Sequence, residues 1–203
     1  MNPIATAPPR LPYEGLGLLF DQLAREGWLS GLNTDVDLAL VRMDPKTGIY
    51  SREYLLKLLQ EAIADSRGAR KRLLDGPDSG RVALVTLRVR ELEDPTTRWS
   101  EDVRTVFELE AARRLVSCLR AEDSLGRDRM DTFVLLLRGC PPEQLDFIAE
   151  RCRGAVEEVP ITTPGGPVHL TTRAAVSQWS GEDATHFHQR AMDDLRKAVS
   201  TDV

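Results

Sequence analysis

Apolar residues in this chain recur at helical spacing in several stretches, with short apolar runs between them. Leu16, Leu19, Phe20 and Leu23 predict an amphipathic helix over residues 13–26, closed by Gly27 and followed by Trp28, Leu29 and Leu32. Ahead of it, Pro3, Pro8, Pro9 and Pro12 mark residues 1–12 as an extended leader. Residues 35–43 mix apolar and polar positions without an assignable period. The turn Asp44-Pro45-Lys46-Thr47-Gly48 then precedes a strong stripe of Tyr54, Leu55, Leu58, Leu59, Ala62 and Ile63, with Ser51 placed to cap it. Residues 67–80 turn basic and then Gly- and Pro-rich, which ends that helix in a loop.

Residues 82–89 form a short apolar strand, and the polar stretch 93–101 leads into a helix over residues 102–120. Polar residues 123–129 followed by Phe133, Val134, Leu135, Leu136 and Leu137 read as a β-hairpin whose second strand is buried. A helix over residues 141–153 starts on paired prolines, and residues 156–161 and 168–176 are strand-like. Residues 182–200 form the final helix. This order predicts an α/β (α+β) domain over residues 44–203: a mostly antiparallel sheet flanked by helices, with residues 1–43 as an N-terminal helical extension.

Composition narrows the function. The 203 residues are 41 % hydrophobic and 29 % charged, with a net charge of −5 and no dominant basic face, which disfavours a nucleic-acid polymer as partner. No apolar run reaches membrane-spanning length, and no basic, then apolar leader opens the chain, so no membrane insertion and a cytoplasmic location are expected. Cys118, Cys140 and Cys152 suit neither a disulfide framework nor a zinc site, and no metal centre is expected. His186 and His188 flank Phe187 on different sides of a helix, and His169 is remote from both.

The element order, read with Asp44-Pro45-Lys46-Thr47-Gly48-Ile49-Tyr50-Ser51-Arg52, resembles the opening of GGDEF (diguanylate cyclase) domains, D-x-L-T-G-L-x-N-R. Laying Leu92 on the phenylalanine of the family's D-I-D-x-F-K strand end carries the register without a gap to Arg153. Trp99 then meets an aromatic position, and Ala112 and Leu115 meet the helix core. Arg120 and Asp123 fall on the family's R-x-x-D, and Arg129-Met130-Asp131-Thr132-Phe133 on its G-G-D/E-E-F signature. Ala149-Glu150-Arg151 lands on an A-x-R stretch, and Arg190-Ala191 on the R-A of the last helix.

The resemblance implies a cyclase that condenses two GTP molecules across a dimer, using magnesium on acidic ligands. In this register the strand-end aspartates are Arg88 and Arg90, the signature glycines are Arg129 and Met130, and the glutamate after Asp131 is Thr132. The guanine-reading positions become Thr96 and Thr105, and a phosphate-binding lysine becomes Val199. Cations repel a metal that requires oxygen ligands, and bulk replaces the backbone's approach to phosphate. No enzymatic activity and no cofactor are therefore expected.

Arg120, Asp123 and Arg151, by contrast, keep the positions of the family's inhibitory site, which binds cyclic di-GMP. Paired guanidinium donors suit guanine O6 and N7 or phosphate, and a carboxylate accepts from guanine N1–H and N2–H₂. Taken singly, Arg120 also reads as a cation at a helix C-terminus with Asp123 as its partner, and Arg151 as a solvated helix residue. Arg70, Lys71 and Arg72 lie near where the family offers a basic residue from a second chain. The expected function is a non-enzymatic cyclic di-GMP receptor that relays the signal to a protein partner or through a self-dimer. The alternative is a ligand-independent pseudo-enzyme scaffold that docks onto a partner or an active cyclase.

Overall fold

Two strands that are apolar at every second residue on both faces build the centre of the molecule. The structure is a computed structural model that describes residues 42–72, 81–91, 100–129, 131–163 and 166–200. Helix α1 (Arg52–Arg72) leads to β1 (Val82–Glu91), α2 (Glu101–Val116) and the hairpin β2 (Ser124–Arg129) and β3 (Thr132–Arg138). There follow α3 (Pro142–Glu157), β4 (Ile161–Thr163), β5 (Gly166–Val168), β6 (Leu170–Gln178) and α4 (Ala184–Ser200). The main sheet has the order β2-β3-β1-β6 with every ladder antiparallel, and β4 and β5 form a separate small hairpin.

Alternation along the strands divides the core. Ala83, Val85 and Leu87 of β1 and Phe133, Leu135 and Leu137 of β3 face α2 and α3, where Ala111, Leu115, Ile148 and Cys152 cover them. Leu84, Val134 and Leu136 face the other way, onto Leu55 and Leu59 of α1 and Phe187 and Ala191 of α4. The domain is therefore an antiparallel sheet flanked by helices on both faces. Among the described residues no helix is long and apolar enough to cross a membrane.

Three sequence expectations change. The helix expected over residues 141–153 runs to Glu157 because Val156 continues the buried series Leu145, Ile148, Ala149 and Cys152 at helical spacing. The strand expected over residues 156–161 is thereby reduced to Ile161–Thr163. Helix α2 stops at Val116 rather than residue 120, with Ser117 as its C-cap, so Arg120 lies in the turn beyond it. The leader expected over residues 1–12 and the helix expected over residues 13–26 lie outside the described residues, as do Leu92, Thr96 and Trp99.

The hairpin is pressed against α1 by a glycine. Gly126 forms a parallel bridge with Tyr50, and a Cβ there would sit 2.9 Å from Leu55 Cβ. Gly126→Ala should therefore destabilise the domain by about 1–3 kcal/mol through overpacking. Chemical unfolding checks this, and adding Leu55→Ala should cost less in that background than in the wild type.

Candidate functional site

The antiparallel pairing of β1 and β3 brings Arg88 opposite Thr132, and Val89 N–H donates to the Asp131 carbonyl at 2.8 Å. Because Arg88 and Arg90 are two residues apart, they point to one face of the sheet and converge on one carboxylate. Arg88 Nε lies 2.7 Å and Arg90 Nε 3.3 Å from Asp131 Oδ2. Thr132 Oγ1 donates to the other oxygen at 3.0 Å. Burial alone would raise the Asp131 carboxyl, but these donors outweigh it and hold it below its ordinary value. Arg173 of β6 stands opposite Arg88 in the ladder and adds a further cation to this edge. A magnesium ion requires several oxygen ligands in octahedral array, and a single carboxylate already bound by two guanidiniums does not supply them. Among the described residues no group of three or more His, Cys, Asp or Glu side chains could hold a metal ion.

The rest of the signature is dispersed. Phe133 is core, Thr132 is buried beside Asp131, and Arg129 is exposed and lies 3.6 Å from Asp128. Met130 lies outside the described residues. Thr105 is on α2 and Val199 is in the last turn of α4. The side chains of Arg70, Lys71 and Arg72 also fall outside the description, although helix α1 continues through them.

Strand alternation turns the successive side chains of Arg127 and Asp128 to opposite faces of the hairpin, and the register shifts between Arg127 and Arg129. Arg127 goes inward, 6 % exposed, with Nη1 3.0 Å from Asp44 and Nη2 2.6 Å from Glu108 of α2. Asp128 goes the other way and is 2 % exposed at its side chain, with Oδ1 3.0 Å from both Arg52 of α1 and His188 of α4. Burial would raise Asp128, but His188, Arg52 and Arg129 hold it below its ordinary value. Asp44 is lowered too: Thr47 and Arg127 together overcome its burial. These contacts tie the turn at residue 44, α1, α2, the hairpin and α4 together, and sequence periodicity carried no signal for them.

Arg120, Asp123 and Arg151 gather where the turn after α2 meets α3. Asp123 Oδ2 accepts from the Arg120 amide at 3.1 Å, and the Asp123 amide donates back to the Arg120 carbonyl. The Arg120 guanidinium reaches across to Gln144 Oε1 on α3, at 3.2 Å. From α3, Arg151 Nη2 returns to the Cys118 carbonyl at 2.7 Å, satisfying an acceptor just past the end of α2. Both guanidiniums thus rest on neutral acceptors, whereas Arg88, Arg90, Arg114 and Arg127 are held by carboxylates. Burial raises the Asp123 carboxyl, against the Arg120 and Arg138 amides that favour its charged form. Beneath the turn, the buried Cys118 thiol is lowered chiefly by a hydrogen bond with Cys152, whose own thiol is raised by the same contact. Gln144 is the residue of this cluster that the sequence reading missed.

Elsewhere, a cavity of about 590 Å³ lies between α2, the turn at residue 47 and the start of β4. Val106, Leu109 and Val159 line it and are partly open to solvent.

Comparison with known proteins gives a consistent picture. The sequence model of the family described as "Diguanylate cyclase, GGDEF domain" matches residues 41–201. No curated protein matches the chain. Among solved structures, the fold is similar to diguanylate cyclase SiaD of Pseudomonas aeruginosa, solved with its activator SiaC (TM-score 0.68, 23 % identity, covering 93 % of this chain and 68 % of that one). It is also similar to the GGDEF domain of FimX from Pseudomonas aeruginosa (TM-score 0.65, 20 % identity, covering 79 % of this chain and 94 % of that one). A third is the GGDEF domain of DgcB from Caulobacter crescentus, solved with c-di-GMP (TM-score 0.64, 14 % identity, covering 79 % of this chain and 91 % of that one).

The buried network makes stability depend on acid. Asp44 and Asp128 have lowered folded values, so their contribution is fully present above the unfolded carboxylate range near 4 and is lost as pH falls through the folded values. Arg127→Leu leaves the half-buried carboxylates of Asp44 and Glu108 without their cation and should cost about 2–4 kcal/mol at neutral pH. Unfolding curves from neutral to acid pH should show this cost shrinking as Asp44 protonates.

Proposed function

The chain belongs to the GGDEF family, and we propose that this member senses cyclic di-GMP without synthesising it. Arg120, Asp123 and Arg151 would hold the dinucleotide, and the bound state would be read by a protein partner or by a second copy. One observation carries this reading: two exposed guanidiniums on facing elements rest on neutral acceptors, with a carboxylate in the turn between them. Releasing Gln144 and the Cys118 carbonyl to bind a ligand breaks no ion pair. Either guanidinium can present two parallel donors to a guanine edge or a phosphate, while Asp123 accepts from guanine N1–H and N2–H₂. At the other edge of the sheet, Arg88 and Arg90 occupy Asp131, and this supports the absence of a metal-dependent condensation. The DgcB domain, solved with c-di-GMP, supports the same choice of ligand.

A second reading is a ligand-independent module that docks onto a partner or an active cyclase. It draws on the open apolar cavity beside Val106, Leu109 and Val159, and on SiaD having been solved with a protein activator. Sizing with and without cyclic di-GMP separates the two, because only a receptor changes its assembly or affinity when ligand is added.

Titration calorimetry should detect cyclic di-GMP binding to the wild type. Arg120→Ala and Asp123→Ala should each weaken it about tenfold or more, since a bidentate pair is worth about 1–3 kcal/mol. Heat that both variants retain would refute the site.

Binding should also depend on pH. The ligand needs the Asp123 carboxylate, so protonation through its raised value weakens binding as pH falls, and Asp123→Asn should flatten that dependence. Incubation with GTP and magnesium, followed by nucleotide chromatography, should yield no cyclic product.

A further inference from the structure

Phe147 is the residue of α3 that the core does not explain. The apolar series Leu145, Ile148, Ala149, Cys152 and Val156 is buried, whereas Phe147 is 68 % exposed. Every other described Phe, Tyr or Trp is buried or half-buried. A helix places residues three and four apart side by side. Phe147 therefore lies between Gln144, which accepts from Arg120, and Arg151, which donates to the Cys118 carbonyl. Side chains on a helix lean toward its N-terminus, so the Arg151 stem inclines toward the position of Phe147. An aromatic face thus stands in solvent between two guanidinium contacts that run from α3 to the turn.

We propose that Phe147 is a stacking platform for a purine of the bound dinucleotide. This rests on Arg120, Asp123 and Arg151 forming the binding site. Asp123 can read only an edge, and a guanidinium engaged with an edge or a phosphate lies in the plane of the base and leaves its faces uncovered. A purine also has two flat apolar faces, and a base held by its edge alone leaves both in water. Stacking on an aromatic ring removes one of them from water and is worth about 1–3 kcal/mol per base. Arg151, next to Phe147 on the helix, would add cation–π attraction to the ring and to the stacked base. The ring is already exposed in the free protein, so binding needs no core rearrangement to present it.

The test titrates cyclic di-GMP into the full chain carrying Phe147→Ala, Phe147→Leu or Phe147→Trp, with Val159→Ala as a control at an exposed apolar residue of the separate cavity. Phe147→Ala and Phe147→Leu should both weaken binding about tenfold, which corresponds to roughly 1.4 kcal/mol. Phe147→Trp should retain affinity and show ligand-dependent quenching of fluorescence beyond the wild type's. Val159→Ala should bind as the wild type does. Thermal unfolding of the Phe147 variants should match the wild type, because an exposed ring contributes little to the core. Wild-type affinity in Phe147→Leu would overturn stacking, since bulk without a π face would then suffice. Retained binding in Phe147→Ala alongside loss in Arg120→Ala would leave the site standing and remove Phe147 from it. Absence of binding to the wild type would overturn the site and this residue's role together.

Discussion

The antiparallel ladder between β1 and β3, apolar on both faces, is the constraint from which the remaining geometry follows. Val85, Leu87, Leu135 and Leu137 face one pair of helices, while Leu84, Val134 and Leu136 face the other. A slip of one residue would exchange these sets and send Arg88 into the core, so burial on both faces locks the register. That register sets Arg88 opposite Thr132 and beside Asp131. Alternation along β2 then directs Arg127 toward α2 and Asp128 toward α1 and α4.

Charge is distributed unequally over this frame. At the sheet edge that carries the signature, guanidiniums meet a carboxylate and neutralise it. In the interior, Arg127 and Asp128 are paired because an unpaired buried charge would cost several kcal/mol. At the end of α2, Arg120 and Arg151 are bound to a side-chain amide and a backbone carbonyl. These contacts position the two cations without pairing either with a carboxylate, which is the charge balance the proposed ligand site draws on. The same region carries the half-buried Asp123 carboxylate, raised by burial, and the exposed ring of Phe147.

Hydrophobic period alone located the central strands, the hairpin, α1 and α4, because each buries a continuous stripe that leaves its spacing in the chain. It failed where two signals overlap. Val156 has the β-branched side chain of a strand but lies four residues beyond Cys152, and packing on the helical face decided between them. The end of α2 was misplaced by a few residues because Leu119 prolongs the apolar pattern past the Ser117 cap. His188 carried no readable role, since its partner Asp128 is sixty residues earlier in the chain and faces it only once α4 packs on the sheet.

The order of elements, the family and the cationic character of the signature are properties of the sequence itself, because periodicity and residue type at aligned positions are local facts. Which carboxylate each arginine meets is not local. It depends on strand register and on which helices share a face of the sheet. Phe147 shows the difference most clearly: helical spacing sets it between Gln144 and Arg151, but only the packing of α3 leaves its ring in solvent and brings those two neighbours to the turn after α2.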